Sequence, residues 1–295
     1  MFDGITPQLL FGQILLGLIN GSFYAMLSMG LAIIFGLMNV VNFAHGAQYM
    51  LGAFVTWLLL THLGVPYWGA LVVAPVVVAL FGMLMERLLL RRLQNLDHLY
   101  GLLATYAVAL IVEGLVSRHY GSTGLPYDNP MPSGISLGFM FLPYYRAWVV
   151  VFSLIVCVGT WLVIEHTRLG AYLRAANERP HIVEAFGINV PRMITLTYGF
   201  GVGLAALSGV LAAPIYQVSP SMGSSVLIVV FAVVVIGGMG SIAGAVASGY
   251  MLGVIEGLTK VFYPSAANVV IFLFMIVALF LRPSGLFTGR SEAAR

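Results

Sequence analysis

Residues 9–37 read LLFGQILLGLINGSFYAMLSMGLAIIFGL and contain no charged side chain. About 20 predominantly apolar residues are enough to cross the hydrocarbon core of a bilayer as an α-helix. An α-helix also satisfies its own backbone hydrogen bonds, for which lipid offers no partner. The run therefore predicts a membrane-spanning helix, and its length allows that helix to be tilted, kinked or broken.

The rest of the chain repeats this apolar pattern. Of its 295 residues, 60% are hydrophobic and only 8% are charged, whereas a soluble domain carries about 25% charged residues. Further apolar runs lie roughly at 44–62, 66–86, 99–117, 147–165, 193–213, 222–239, 242–259 and 266–281. We predict an all-α polytopic membrane protein with about eight to ten transmembrane helices, in which residues 1–295 form a single transmembrane domain. The count is open because the runs 222–239 and 242–259 nearly touch, and either is compatible with a re-entrant segment.

The positions of lysine and arginine predict how the chain is oriented. Ten of the 13 basic residues fall in the segments 86–98 and 166–192 and in the tail from Arg282. Loops rich in lysine and arginine remain in the cytoplasm. The three segments are therefore predicted to be cytoplasmic, with the C-terminus inside and the N-terminus outside. The proline-containing loop 118–146 is then external, either as an ordered cap or as a passive connector.

The cytoplasmic loop 166–192 is the most polar part of the chain and contains signals for a short helix. Pro180 suits the first turn of a helix, and Gly187 suits the position just after its end. Pro191 can open the next membrane helix, with Asn189 as its cap. The short helix either stabilises the bundle as an interfacial turn or docks on a cytoplasmic partner.

Several kinds of chemistry lack their sequence signals. The only lysine, Lys260, is flanked by Thr259 and Val261, so the chain has no phosphate-binding P-loop and cannot hydrolyse ATP by that route. No HExxH motif occurs and the six histidines are scattered, so the sequence gives no support for a metal site. No GxSxG nucleophile motif is present. We therefore expect no catalytic residue, no metal ligand and no enzymatic activity on this chain.

Few ionisable residues lie within the apolar runs. Glu113 is about one turn from Arg118, and Glu256 and Lys260 are four residues apart on one helix face. We interpret both as structural pairs near an interface and prefer this to a proton or ion relay. A secondary transporter usually shows a midplane carboxylate or a broken helix. The first criterion is poorly met, and the second stays open.

Glycines dominate the run from Val235 to Leu258. Gly249, Gly253 and Gly257 form a stripe with a four-residue spacing, which predicts close packing against another helix. The preceding sequence GGMGS marks a break between two spans. We predict that its unwound backbone lines a transport pathway. The residues assigned to this pathway segment are Gly237, Gly238, Gly240 and Ser241.

The stretch MNVVNFAHGAQYMLG, from Met38 to Gly52, places four amide and imidazole side chains in an otherwise apolar region: Asn39, Asn42, His45 and Gln48. The topology predicts that it lies near the cytoplasmic end of the bundle. In one interpretation these side chains cap the backbone where the first two spans join. In the other, Asn42, His45 and Gln48 shape the inner end of the pathway or its gate.

Three segments, Asn20–Phe54, Arg168–Ala212 and Val233–Leu258, together resemble the LivH-type permeases of bacterial ABC importers for branched-chain amino acids. The NFAHG and GGMGS blocks carry the resemblance, which implies the ABC importer permease fold and the bacterial inner membrane. It also implies a related LivM-type permease, two cytoplasmic ATPase subunits that hold ATP and Mg, and a periplasmic substrate-binding protein as partners. No cofactor is expected on this chain.

The resemblance assigns the contact with the ATPase to the cytoplasmic loop, where the sequence reads NERPHIVEAFGI. The residues carried over are Glu178, Pro180, Glu184, Phe186 and Gly187. The EAAxxxG signature of other importers is not reproduced, because Gly187 follows Glu184 by only three residues.

The implied function is import by alternating access, in which ATP binding on the partners moves the coupling loops. The expected substrates are branched-chain amino acids. Relatives with the same sequence blocks serve urea, short amides or small organic acids, which remain alternatives. A stand-alone, ion-coupled secondary transporter is the alternative from another class.

Overall fold

A computed structural model describes residues 6–38, 41–93, 96–138 and 141–287, and these residues are mostly helical. The helices are α1 (Pro7–Met38), α2 (His45–Leu63), α3 (Tyr67–Met85), α4 (His98–Tyr120), α5 (Tyr144–His166), α6 (Arg168–Glu178), α7 (Pro180–Ala185), α8 (Val190–Ala212), α9 (Met222–Gly237), α10 (Ile242–Phe262) and α11 (Ala267–Leu281). A π-helical turn, Glu86–Leu90, continues α3 to Leu93. Two short strands, β1 (Gly134–Ser136) and β2 (Phe141–Pro143), pair antiparallel between α4 and α5.

Every apolar run found in the sequence corresponds to a helix. Six helices are long and apolar enough to cross a membrane: α1, α3 with its extension to Leu93, α4, α5, α8 and α10. The segments Met222–Gly237 and Val269–Leu281 are shorter apolar helices. The chain is therefore a multi-pass helical membrane protein. The total of about eight to ten crossings stays a prediction, because length and composition establish six spans within the described residues.

The described parts of the three arginine-rich segments lie at one end of the bundle, which we call the basic end. A cavity of about 340 Å³ there is lined by Met38, Leu93, His98, Ala176 and Val190, so it joins the ends of α1, α3 and α4 to the α6–α8 region. The segment after α11 reaches the same end, because the Leu286 N–H donates to the Ile236 carbonyl at 2.8 Å. This is the arrangement that the predicted topology requires.

The described residues of the loop between α4 and α5 lie at the opposite end of the bundle. Leu125 and Val218 exchange backbone hydrogen bonds of 2.8 and 3.0 Å, which tie the loop to the α8–α9 connection. Nearby, the Tyr67 and Tyr145 hydroxyls lie 2.9 Å apart, and the Tyr145 hydroxyl donates to the Leu211 carbonyl at 2.8 Å. The described part of the loop is thus attached to the helices, and its external location stays a prediction.

Helices α1 and α10 approach each other backbone to backbone. A Cβ added to Gly253 would lie 2.4 Å from the Gly17 carbonyl oxygen and 2.5 Å from the Gly21 Cα, and one on Gly249 would lie 2.6 Å from the Ala25 Cα. Lipid supplies no hydrophobic force between helices, so membrane helices associate through such close packing. The prediction of close packing for the glycine stripe 249–257 is confirmed, and its partner is the small-residue face of α1.

We expect Gly253→Ala to destabilise the bundle by about 1–3 kcal/mol, because the new methyl group meets rigid backbone. The control is Gly114→Ala on the exposed face of α4, where an added Cβ has no heavy atom within 4 Å. Thermal unfolding of the purified protein in detergent would measure both variants. Equal midpoints for the two variants would show that the α1–α10 contact relaxes without cost.

Candidate functional site

The polar stretch after α1 forms a buried junction between α1 and α2. The Asn42 side-chain oxygen accepts the Ala44 N–H at 3.1 Å, which caps the turn leading into α2. The Asn42 amide nitrogen donates to the Gln48 side-chain oxygen at 3.2 Å. Both side chains are at most 1% exposed. The amides therefore satisfy backbone and one another, as the capping interpretation requires.

The junction extends to α8 and to the π-helical turn. The Gln48 amide nitrogen donates to the Tyr198 hydroxyl at 3.4 Å. One turn earlier on α8, the Thr195 hydroxyl donates to the Glu86 carboxylate at 2.7 Å. Glu86 is 1% exposed, and a carboxylate is costly to bury without a hydrogen-bond donor. Glu86 stands at the edge of an arginine-rich segment, where an exposed side chain is the usual expectation, so its burial was not predicted from the sequence.

His45 is completely buried at the start of α2. Its Nε2 lies 3.0 Å from the Leu27 carbonyl oxygen, so Nε2 carries the proton and donates it to this bond. The ring also lies against Gly30, where an added Cβ would be 3.2 Å from the His45 Cε1 atom. Among the described atoms, Nδ1 has no hydrogen-bond partner. The imidazole therefore holds the beginning of α2 against the middle of α1.

The stretch begins at the basic end with Met38, but the start of α2 lies deeper in the bundle than predicted. Leu27 is eleven residues before Met38, the last residue of α1, which corresponds to about 16 Å along a helix. Phe43 lies next to Thr105, whose hydroxyl accepts the Phe43 N–H at 3.1 Å, and Thr105 is seven residues into α4. The start of α2 is thus well inside the bundle. Hydropathy alone did not reveal that residues 41–44 turn back into it.

Glycine contacts make this inward position possible. A Cβ on Gly46 would lie 2.6 Å from the Gly223 carbonyl oxygen, and one on Gly52 would lie 2.2 Å from the Ala206 carbonyl oxygen. Helix α2 therefore fits tightly between α9 and α8. The proposed role of Asn42, His45 and Gln48 in the pathway or its gate stays a prediction. Asn39 lies outside the described residues.

The GGMGS segment forms a tight turn between α9 and α10. Gly238 and Gly240 have φ angles of 102° and 88°, which side chains with a Cβ rarely adopt. The Ser241 hydroxyl accepts the Gly244 N–H at 3.1 Å and caps α10. A Cβ on Gly237 would lie 2.5 Å from the Gly244 backbone. The predicted break is confirmed, while a pathway-lining role for these residues stays a prediction.

The loop 166–192, which was predicted to be cytoplasmic, contains two helices, α6 and α7, where one was expected from the sequence. Pro180 opens α7 and Gly187 follows its end with a φ of 81°, as predicted. The Asn189 side chain accepts the Arg192 N–H at 2.9 Å and caps α8. Gly170 buries α6 against the end of α5, since a Cβ there would collide with the Ile164 carbonyl.

The residues assigned to the ATPase contact lie on the outside of this segment. Glu178, Pro180, Glu184 and Gly187 are exposed, and Phe186 is 82% exposed. Val183 points inward instead and packs with Ala176 and Val190. The segment α6–α7 therefore presents charged and apolar groups outward while a small apolar cluster attaches it to α8.

The two predicted ion pairs have different outcomes. The Lys260 ammonium lies 2.6 Å from the Glu256 carboxylate, so this pair is confirmed. Glu113 instead accepts a hydrogen bond of 3.5 Å from the Ser224 hydroxyl. Within the described ranges no ion pair joins Glu113 to Arg118.

Comparisons with known proteins give the family. Residues 13–279 match the family model described as branched-chain amino acid transport system / permease component. The high-affinity branched-chain amino acid transport system permease protein BraD of Pseudomonas aeruginosa is 30% identical over 298 residues, covering 96% of this chain and 97% of the relative. The corresponding permease protein LivH of Escherichia coli is 29% identical, covering 96% of each. This chain therefore belongs to the permease component family of the branched-chain amino acid transport system.

Proposed function

We propose that this chain is the membrane permease subunit of an ATP-driven importer that moves branched-chain amino acids across the bacterial inner membrane. The relatives BraD and LivH are named as permeases of high-affinity branched-chain amino acid transport systems, and they align with nearly the whole chain. In this proposal a related permease completes the translocation path. A periplasmic binding protein delivers the amino acid.

The observation that carries the proposal is the outward face of α6 and α7 at the basic end. Phe186 is 82% exposed and Ile182 is 47% exposed, while Val183 on the same short helix is buried. A short helix that presents apolar side chains and charges in this way suits insertion into a groove of a partner. The partner would be a cytoplasmic ATPase subunit, which would hold the ATP and Mg because this sequence has no P-loop.

The contacts of α7 suggest how movement of the partner would reach the pathway. Val183 packs against Val190, the first residue of α8. Further along α8, Tyr198 accepts the hydrogen bond from Gln48 at the start of α2. A displacement of α7 would therefore be passed through α8 to the α1–α2 junction. Alternating access would follow if this junction opens in only one state of the ATPase.

One observation favours the ion-coupled alternative. Glu86 is a buried carboxylate between membrane helices, and such groups often belong to ion or proton pathways. Its bond to Thr195 explains how the charge is accommodated but gives it no transport role. Urea, short amides and small organic acids remain alternative cargoes within the importer class.

Reconstitution separates these functions. We expect leucine uptake into proteoliposomes only when the chain is combined with its partner permease, its ATPase subunits, the binding protein and ATP. Uptake would be measured with radiolabelled leucine, urea and acetamide in parallel. Ion-gradient-driven uptake by the purified chain alone would overturn the importer proposal, and uptake of urea or acetamide without leucine would overturn the assigned cargo.

We expect Phe186→Ala combined with Glu184→Lys to weaken binding of the ATPase by at least about tenfold, because exposed aromatic anchors dominate many interfaces. Copurification of the ATPase subunits and uptake of leucine would both be measured. Phe141→Ala is the matched control, since Phe141 is 59% exposed on β2 at the opposite end. Normal copurification and uptake by the double variant would show that α7 is not the docking helix.

Two substitutions of His45 distinguish a gate from a structural anchor. We expect His45→Ala to impair assembly, because it removes the bond that joins the start of α2 to the Leu27 carbonyl and leaves a void in place of the buried ring. His45→Gln retains an N–H donor, so we expect normal assembly with reduced leucine uptake. Gel filtration would report assembly. Full uptake by His45→Gln would assign the residue a structural role only.

A further inference from the structure

A second cavity lies between α1, α2, α9 and α10, on the side of the bundle away from the basic end. Its volume is about 410 Å³, within the range of about 300–1,000 Å³ that is usual for small-molecule sites. Residues that line it include Tyr49 from α2 and Ser225 from α9. Tyr49 follows His45 by one helical turn of α2. The cavity therefore begins next to the α1–α2 junction, on the side away from the basic end.

The wall of this cavity carries both charges of one ion pair. The Lys260 ammonium donates to one oxygen of Glu256 at 2.6 Å, and the Tyr24 hydroxyl donates to the other at 2.7 Å. The Glu256 side chain is 8% exposed, whereas the Lys260 side chain is 39% exposed. Lysine has three N–H donors, and within the described chain the Glu256 bond uses one of them. Two donors of Lys260 are therefore available to an anionic group.

Apolar side chains complete the lining. Phe23 and Met222 are buried, and Val226 is half-buried beside them. The cavity thus offers a cation, a carboxylate and an apolar surface within one small volume. Pockets of this kind fix a ligand's orientation with a few polar groups and gain area from apolar ones.

We propose that this cavity is a transient binding site for a neutral amino acid with an apolar side chain on its way through the permease. The Lys260 ammonium contacts the α-carboxylate of the ligand, and the Glu256 carboxylate contacts its α-ammonium. These two contacts partly replace the contact between Lys260 and Glu256. The inference deepens the proposed function and rests on it. Urea and short amides carry neither charge, so they would leave the pair unchanged.

The close contact between α2 and α9 explains why such a site would be transient. Gly46 and Gly223 meet backbone to backbone at the start of both helices. Gly223 directly follows Met222, which lies in the wall of the cavity, and Gly46 lies three residues before Tyr49, which also lines it. The amino acid could leave toward the basic end only after this contact opens. The site is therefore filled from the opposite end and emptied when α2 and α9 separate.

Neutral substitutions of the pair distinguish ligand binding from structural support. Lys260→Met alone leaves a buried carboxylate unpaired and is expected to destabilise the protein for that reason. Glu256→Gln with Lys260→Gln removes both charges and keeps polar groups at both positions. We expect the double variant to assemble normally in the complete importer but to transport leucine about 10- to 100-fold more slowly. Lys260→Arg, which keeps the cation, should retain most of the uptake.

A labelling experiment tests binding directly in the reconstituted importer without the binding protein. Ser225→Cys places a thiol in the cavity, and leucine should slow its reaction with a small thiol reagent. Leucinamide, which lacks the carboxylate, and 4-methylpentanoate, which lacks the ammonium, should protect poorly. Ser136→Cys on the exposed strand β1 is the control and should not be protected. The native Cys157 is buried and contributes little background.

The outcomes separate this inference from the proposed function. Full leucine uptake by the double glutamine variant would make the ion pair structural and overturn the site. Absence of protection at Ser225→Cys while the importer transports leucine would overturn it as well and leave the proposed function intact. If the wild-type complex with ATP takes up no leucine, the proposed function itself fails.

Discussion

The fold depends on helices whose backbones touch. In a bilayer the lipid chains are as apolar as the side chains, so helix association relies on close packing more than on the hydrophobic effect. Glycine provides this packing in three places: between α1 and α10 at Gly253, between α2 and α9 at Gly46, and between α2 and α8 at Gly209. Helix α2 begins inside the bundle because two of these contacts lie along it. The buried polar junction then becomes necessary, since a helix start in that position has backbone donors that water cannot reach.

The polar junction between α1 and α2 connects α2, α8 and the π-helical turn after α3. Asn42 and Gln48 belong to the beginning of α2, Tyr198 to α8, and Glu86 to the turn after α3. The same α8 begins at the cluster that attaches the exposed segment α6–α7. Helix α8 thus connects the surface at the basic end to the buried polar groups of the junction. Through α8, a displacement of the α6–α7 segment at the surface would change the packing around His45.

Local features of the chain could be predicted from the sequence, but the residues that meet in the folded structure could not. The apolar runs predicted the positions of the helices, and Pro180, Gly187 and Asn189 predicted the ends of α7 and the start of α8. The stripe at Gly249, Gly253 and Gly257 predicted a close contact without indicating that α1 makes it.

The ion pair of Glu256 and Lys260 followed from a four-residue spacing. The cavity beside that pair did not, because its walls come from four helices and the α8–α9 connection, whose arrangement no local pattern contains. Glu86 escaped notice for the same reason, since its burial depends on Thr195, 109 residues away.

The segment after α11 has a mechanical consequence. Leu286 donates to the Ile236 carbonyl near the end of α9, and Gly285 packs directly on Gly238 in the turn before α10. The segment after α11 therefore returns to the end of α9, so that α9, α10 and α11 are joined at the basic end. A three-helix unit closed in this way resists splaying at the basic end. Helices α9, α10 and α11 should therefore move together at the basic end, and α1 should move with them because its backbone packs on that of α10.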